Sequence, residues 1–266
     1  MPRIDDDALV LRRLDYSETS QVLVLLTRRH GKVRVLAKGV RRGTKTRFAP
    51  GIDLLEFGHV GLTARADRGA GLATLTEWKP TRPLGPLRDD LLRLYAAQYL
   101  AEILAALTED WDPHPGLFER IEQTFERLAT AADPLPSLVR AQLAVLDSVG
   151  SRPRFDACVA CGREETLTHL SSFEGGMLCR NCEPSYAEKW EVSACALRFL
   201  RALLAQRVDP GTGPHDSRET GPSEAPGVSR REGLDAFPVL NYHIAHLMGR
   251  RPRVADLLLT AARPLR

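Results

Sequence analysis

Four of the five cysteines in this 266-residue chain form two pairs of the same spacing, Cys158-x2-Cys161 and Cys179-x2-Cys182. A two-residue gap lets both thiolates of a pair reach one ion, and two such pairs complete a tetrahedral all-sulfur shell. The ion expected is structural zinc, with iron in the same four-thiolate geometry as the alternative. Four protein ligands leave no open position for a substrate, so the role expected is structural rather than catalytic. Gly162 after the first pair and Gly175-Gly176 before the second suit the tight backbone of such a site. Paired thiols of this kind argue for a reducing compartment and against a disulfide framework. The other candidate ligands carry less. His169 lies between the pairs and reads as a surface residue, His243 and His246 as packed or solvent-facing histidines, and Cys195 as a buried small residue. Asp5-Asp6-Asp7 and Glu164-Glu165 read as solvated charge.

The second constellation is basic. Arg28, Arg29, Lys32, Arg34, Lys38, Arg41, Arg42, Lys45 and Arg47 follow one another with no acid between Glu18 and Asp53. Lys32, Arg34 and Lys38 alternate with Val33, Val35 and Ala37, which in a strand places the bases on one face. Residues 38–47 then read as a flexible basic loop rich in Gly and Thr, and Phe48 beside it offers a stacking ring. Neutralising phosphates needs positive charges that track a backbone, and single-stranded binding adds aromatic platforms. Arg28, Lys32, Arg34, Lys38, Arg41, Arg42, Lys45, Arg47 and Phe48 are therefore the nucleic-acid-contact candidates. A third basic cluster, Gly249-Arg250-Arg251-Pro252-Arg253, follows the last helix, where cations also answer the helix dipole.

The net charge of +3 conceals a division. Residues 1–80 hold 15 basic and 9 acidic side chains, whereas residues 81–150 hold 6 and 11. A basic segment beside an acidic one suggests two surfaces with different partners. No phosphate-binding G-x-x-x-x-G-K-[ST], no G-x-S-x-G elbow and no H-E-x-x-H occurs, and the chain does not read as an enzyme. It has no secretory leader pattern and no apolar run long enough to cross a membrane, so a cytoplasmic protein is expected.

The elements that would position these residues change character along the chain. Short apolar or alternating runs at Ala8–Leu11, Val22–Leu26, Val33–Val35, Ile52–Leu55 and Leu72–Leu75 read as five strands. His30-Gly31 marks the turn between the second and third. Five short strands without a long helix suit a closed barrel of the OB type. Pro80, Pro83 and Pro86 then punctuate a loop that does not read as helical. Beyond it the period becomes 3.6: Leu92, Tyr95, Ala96, Tyr99, Leu100, Ile103, Leu104 and Leu107 form one stripe. Leu117 to Leu128 and Leu138 to Val149 give two further helices, the latter ending at Gly150. Ser193 caps another helix, and Leu234 to Met248 and a short tail at Val254–Leu259 complete the pattern. Residues 209–233 are dominated by Gly, Pro, Ser and Thr and read as a disordered insert. The expected class is α+β. An OB-type barrel spans 1–80 and an all-helical domain 81–154, with a four-cysteine zinc element embedded at 155–186 and C-terminal helices over 187–266.

In this order the parts resemble the bacterial recombination mediator family RecO. The likeness is carried by Lys38-Gly-x-Arg41-Arg42 with Lys45-x-Arg47-Phe48, by Phe173-Glu174-Gly175-Gly176-Met177-Leu178-Cys179, and by Leu247-Met248-Gly249-Arg250-Arg251-Pro252-Arg253. It covers nearly the whole chain except 209–233, a segment longer than the family pattern. The resemblance implies a barrel that binds single- and double-stranded DNA and anneals complementary strands. It also implies partnership with RecR and docking of the acidic tail of single-stranded DNA-binding protein on the helical domain. It further implies help in loading recombinase onto coated strands, in the bacterial cytoplasm at the nucleoid. The family's metal ligands fall on Cys158, Cys161, Cys179 and Cys182, and its DNA contacts on Lys38, Arg41, Arg42, Lys45 and Arg47. The competing readings are a zinc-ribbon nucleic-acid binder of transcription or translation without annealing activity, a scaffold whose barrel docks acidic protein, and a metal-dependent hydrolase built on Asp89 and Asp90. The position of that last pair at a helix start is better explained by capping.

Overall fold

A computed structural model describes residues 3–39, 52–64, 71–82, 85–206 and 230–263. Five strands, β1 (Arg3–Asp15), β2 (Gln21–Thr27), β3 (Gly31–Ala37), β4 (Phe57–Thr63) and β5 (Ala73–Pro80), close a barrel in the order β1-β2-β3-β5-β4. All pairings are antiparallel except β3 with β5, where Val35 and Leu36 face Ala73 and Thr74. This is the OB arrangement, and it leaves no free sheet edge. Val10, Leu23, Leu25, Val33, Val35, Val60, Leu62, Leu75 and Trp78 fill the interior. Gly31 turns the β2–β3 hairpin at φ 69°, a conformation glycine adopts without a side-chain clash.

The fourth strand departs from the expectation at Ile52–Leu55. That segment is a turn in which Leu55 takes φ 69°, and the strand is the next run, Phe57–Thr63. Its two glycines hide the β signal, yet the barrel requires them. A side chain on Gly58 would come within 2.6 Å of the Trp78 ring, and one on Gly61 within 3.0 Å of Glu77 Cβ. The proline segment also departs from its reading. Pro86 lies in the first turn of a short helix, α1 (Gly85–Arg88), where a missing N–H costs nothing.

The helical region comprises α2 (Leu91–Leu107), α3 (Leu117–Thr130), α4 (Leu135–Ser148), α5 (Ala194–Ala205), α6 (Arg230–Met248) and α7 (Ala255–Ala262). Asp90 caps α2 by accepting the Arg93 N–H, and Ser193 caps α5 by accepting the Ala196 N–H. Gly150 at φ 68° ends α4, with the Ser151 N–H returning to the Leu146 carbonyl. Helix α2 is buried on more than one stripe. Ala97 and Ala101 are enclosed as fully as Leu100 and Leu104, because barrel, α4, α6 and α7 all pack on it. Inside this bundle the Gln142 side-chain amide donates to Tyr99 Oη (2.9 Å), and Tyr99 donates to Asn241 Oδ1 (3.0 Å). Helix α6 begins at Arg230, so residues 230–233 are helical rather than part of the insert. The rest of that insert falls outside the described residues.

Between α4 and α5 a small sheet, β6 (Leu167–Ser171), β7 (Gly176–Cys179) and β8 (Trp190–Glu191), pairs in the order β7-β6-β8. No helix among the described residues is long and apolar enough to cross a membrane.

Because the Trp78 ring occupies the space over Gly58, replacing Gly58 with Ala is expected to lower stability by about 1–3 kcal/mol through overpacking. Chemical denaturation of the full chain measures the loss, and Gly85→Ala, with nothing near its Cβ position, is the control.

Candidate nucleic-acid face and metal centre

The barrel meets the helices through its outer surface. Leu9, Leu11, Leu26 and Phe57 point away from the barrel interior and join the helical core. Phe57 stands edge-on to Phe118 (6.2 Å) and Phe125 (5.1 Å) of α3. Ion pairs surround this contact. Arg28 reaches Asp7 (3.2 Å), Glu119 (2.6 Å) and Glu122 (3.1 Å) and lies over the Phe118 ring. Burial works against the Arg28 charge, but the two glutamates outweigh it and raise its pKa further. Arg82 pairs with Glu122 and Glu126 from the other side.

The nine expected DNA contacts therefore divide. Lys32 is buried, and its Nζ donates to the carbonyl oxygens of Ala105 (2.9 Å) and Thr108 at the end of α2. Those carbonyls lack helical partners, and the ammonium meets the negative end of the helix dipole. The Trp111 N–H returns to the Lys32 carbonyl (2.8 Å), tying the segment after α2 to β3. Arg34 is exposed and pairs with Asp110 (2.8 Å). Strand alternation puts Lys32 and Arg34 on one side, as the sequence predicts, but α2 covers the Lys32 end of it, and Lys38 falls in the turn after β3. Lys38 is exposed at the end of β3. Arg41, Arg42, Lys45, Arg47 and Phe48 lie outside the described residues.

The aspartate run also differs from its expectation. Asp6 is buried, with its carboxylate accepting from the Arg29 N–H (3.0 Å) and the Asp7 N–H (2.9 Å) and bonded to His30 Nδ1 (2.6 Å). It fixes the β2–β3 turn instead of facing water. His243 is packed, with Nε2 on the Ser151 carbonyl (2.8 Å), and burial lowers its pKa. Cys195 is half-buried rather than buried.

The four paired cysteines come together. Their Sγ atoms all lie within 4.8 Å of one another, and Cys161 and Cys179 are 3.7 Å apart. Sulfurs at ~2.3 Å from one tetrahedral ion are separated by roughly 3.8 Å, so the donor set fits a closed four-thiolate centre. The backbone prepares the charge. Burial opposes ionisation of Cys158, but N–H groups of Cys179, Cys161 and Ala160 outweigh it and bring the thiol down to about 6. Cys179 is likewise lowered, against burial, by the N–H groups of Cys182 and Asn181. Hydrogen bonds with the Cys161 and Cys179 sulfurs push Cys182 up to about 12.

Cys158 and Cys179 are buried in the same core as Phe155, Leu170 and Met177, whereas Cys161 is exposed. Two side chains that sequence reading missed bind this element to the helices. Arg201 of α5 donates to the carbonyls of Phe155 (2.9 Å), Asp156 (2.9 Å) and Glu164 (3.4 Å). The Glu188 carboxylate accepts from Ser171 Oγ (2.8 Å), the Ser172 and Phe173 N–H groups (3.1 Å each) and the Tyr242 hydroxyl of α6. Burial would raise Glu188, but these donors together lower it, Tyr242 first among them. Neither residue belongs to a motif, so no sequence spacing announces it.

A closed OB-type barrel joined to a helical region that holds a four-cysteine centre defines a class of two-part, barrel-and-bundle chains. Comparison with known proteins narrows it. Residues 1–84 match the family described as Recombination protein O N terminal and residues 88–214 that described as Recombination protein O C terminal. A DNA repair protein RecO of Anaeromyxobacter sp. (strain K) is 34% identical over 254 residues, covering 94% of each chain. That of Myxococcus xanthus (strain DK1622) is 32% identical over 259 residues, 97% of this chain and 98% of its own. One from Bacillus pumilus (strain SAFR-032) is 33% identical over 198 residues, 74% and 75%. The chain belongs to the RecO family of DNA repair and recombination proteins.

The division of the basic side chains has a measurable consequence. Lys32→Ala is expected to destabilise the protein by about 1.5–3 kcal/mol, since a charged donor to buried carbonyls is removed. Lys38→Ala is expected to leave the unfolding midpoint unchanged. Urea titrations of the two variants against the parent chain check this pair of outcomes.

Proposed function

We propose that this protein is a non-enzymatic recombination mediator. In this reading it binds single- and double-stranded DNA, anneals complementary strands, and helps load recombinase onto single strands already coated by their binding protein. The observation that carries the proposal is family membership along both halves of the chain, on an OB-ordered barrel whose β3 leads directly into the basic stretch Lys38 to Arg47. Annealing requires two polyanions to approach, and a cationic surface lowers their repulsion while counterions are released. Lys38, Arg41, Arg42, Lys45 and Arg47 supply that charge, with Phe48 as a stacking ring, and Arg34 joins them by exchanging Asp110 for phosphate. Arg28 and Lys32 support the barrel from the joint instead of touching DNA.

RecR and the acidic tail of single-stranded DNA-binding protein are the partners in this proposal, and the bacterial cytoplasm, at the nucleoid, is the place of action. The helical region supplies the separate contact that reaching a coated strand demands. Cys158, Cys161, Cys179 and Cys182 hold zinc in a closed shell, where it cross-links the two knuckles and does no chemistry on substrate.

Replacing Arg41, Arg42 and Lys45 together with Ala is expected to slow annealing of complementary labelled strands. The dependence of DNA affinity on salt should flatten as well, by about 0.7–0.9 in log–log slope for each phosphate that is no longer neutralised. Unchanged annealing by a folded triple variant sinks the assignment of this stretch. Binding without annealing in the parent chain favours the zinc-ribbon reading instead. Cys179→Ser is expected to lose metal, measured by atomic emission on the purified chain, and to melt at lower temperature. A variant that keeps the parent melting temperature removes the structural-metal role.

A further inference from the structure

Three aromatic residues gather round one carboxylate on the outside of the cysteine element. Glu188 accepts from the Phe173 N–H in the β6–β7 turn and from the Tyr242 hydroxyl of α6. The Trp190 ring lies against that of Tyr242, with centroids 5.1 Å apart and planes inclined by 31°. The turn that carries Phe173 is fixed on both sides. The Glu174 N–H donates to Ser171 Oγ (3.2 Å), and the Arg154 N–H donates to the Gly175 carbonyl (2.9 Å).

The fold does not use these rings as core. Phe173 is 78% exposed, more than any other large apolar side chain among the described residues, Trp190 is 40% exposed and Tyr242 is half-buried. Phe173 opens the phrase Phe173-Glu174-Gly175-Gly176, none of whose residues is a metal ligand. A turn held by several hydrogen bonds has already lost its conformational freedom, yet this one keeps its phenyl ring in water. Exposed aromatic rings gathered on a rigid support mark a binding surface rather than scattered surface residues.

The surrounding charge selects the ligand. Glu188 lies among the rings, and Glu174 is exposed next to Phe173. The neighbouring cations are already engaged: Lys189 Nζ donates to the carbonyl (2.8 Å) and the carboxylate of Glu183, and Arg154 Nε to Asp156 (3.0 Å). Aromatic faces attract cations, whereas carboxylates repel phosphates and acidic peptides. Among cations a guanidinium suits the patch best, because it is flat, stacks on rings, is weakly hydrated and pairs with carboxylates through a fork of N–H groups. We propose that this patch docks an arginine-bearing segment of a protein partner: guanidinium groups lie on the Phe173 and Trp190 rings and pair with Glu174, while Glu188 and Tyr242 hold the rings in place. The surface is independent of the DNA-binding reading above, since its carboxylates disfavour a polyanion.

The test uses the full chain and a short fluorescein-labelled peptide alternating arginine with leucine, beside matched lysine and glutamate peptides. The arginine peptide is expected to bind, the lysine peptide to bind more weakly, and the glutamate peptide not to bind. Phe173→Ala and Trp190→Ala are each expected to weaken the arginine peptide roughly two- to thirtyfold. Trp190→Phe keeps a ring and should retain most of the affinity. Glu174→Gln should weaken binding and flatten its dependence on salt. Because its ring is exposed, Phe173→Ala should keep the parent melting temperature, which separates lost docking from lost folding. No binding of the arginine peptide, or equal binding by the parent, Phe173→Ala and Trp190→Ala chains, overturns the assignment. Displacement of the peptide by oligothymidylate, with oligothymidylate affinity itself reduced in Phe173→Ala, overturns it in favour of a nucleic-acid face. A dimer of the parent chain in sedimentation that Phe173→Ala abolishes overturns it in favour of a second copy of this chain.

Discussion

The contact between the outside of the barrel and helix α2 governs how the rest of the molecule is arranged. A small barrel has apolar positions on both sides of its sheet only if something covers the outer one, and here Leu9, Leu11, Leu26 and Phe57 are covered by α2 and α3. Burial of a large apolar side chain contributes about 1.5–3 kcal/mol, so four of them outweigh the ion pairs around them. Lys32 then sets the position. Its ammonium sits on the last carbonyls of α2 and beside Asp110, where displacement would strip a buried cation of its hydrogen bonds and leave the buried Thr108 carbonyl without this donor. Apolar burial provides the attraction, and the lysine provides the register.

This arrangement changes the meaning of the charge division along the sequence. A basic first segment and an acidic second one suggest separate surfaces for separate partners, but a good part of the difference is internal complementarity. Arg28, Lys32 and Arg34 of the first segment face Asp110, Glu119 and Glu122 of the second across the joint. At the far end of β3, away from this joint, Lys38 is exposed.

Periodicity in the sequence showed the helices well, because long amphipathic runs with caps such as Asp90 and Ser193 report local physics. The clustering of the four thiols was equally legible, since thiol pairs of fixed spacing have few other uses. The misread positions are those where tertiary contact overrides composition. Gly58 and Gly61 weaken the local strand signal and are required by Trp78 and Glu77 across the sheet. Asp6 resembles its neighbours Asp5 and Asp7 in sequence, and only the folded β2–β3 turn singles it out. Lys32 alternates with valines just as Arg34 does, and nothing short of the packed α2 separates a buried lysine from an exposed arginine. Arg201 and Glu188 were invisible because they satisfy backbone groups of segments far away in the chain.

The same residues explain why the cysteine element belongs to the fold and is not an appendage. Two of its sulfurs lie in the common core, and its hairpin turn is fixed by Glu188, which also accepts from Tyr242 of α6. Trp190 stacks on Tyr242 at 5.1 Å, adding a second contact between β8 and the same helix. Loosening the knuckles would therefore free the Ser171–Phe173 turn, release Glu188, and withdraw a support from α6, which packs in turn on α4 and α5. Since α2 packs against α4, α6 and α7 while holding the barrel at its C-terminal end, disturbance of the thiol centre reaches the barrel through packed elements alone. The four-cysteine element, distant from the barrel, is thus linked to it through α6 and α2 without contacting it.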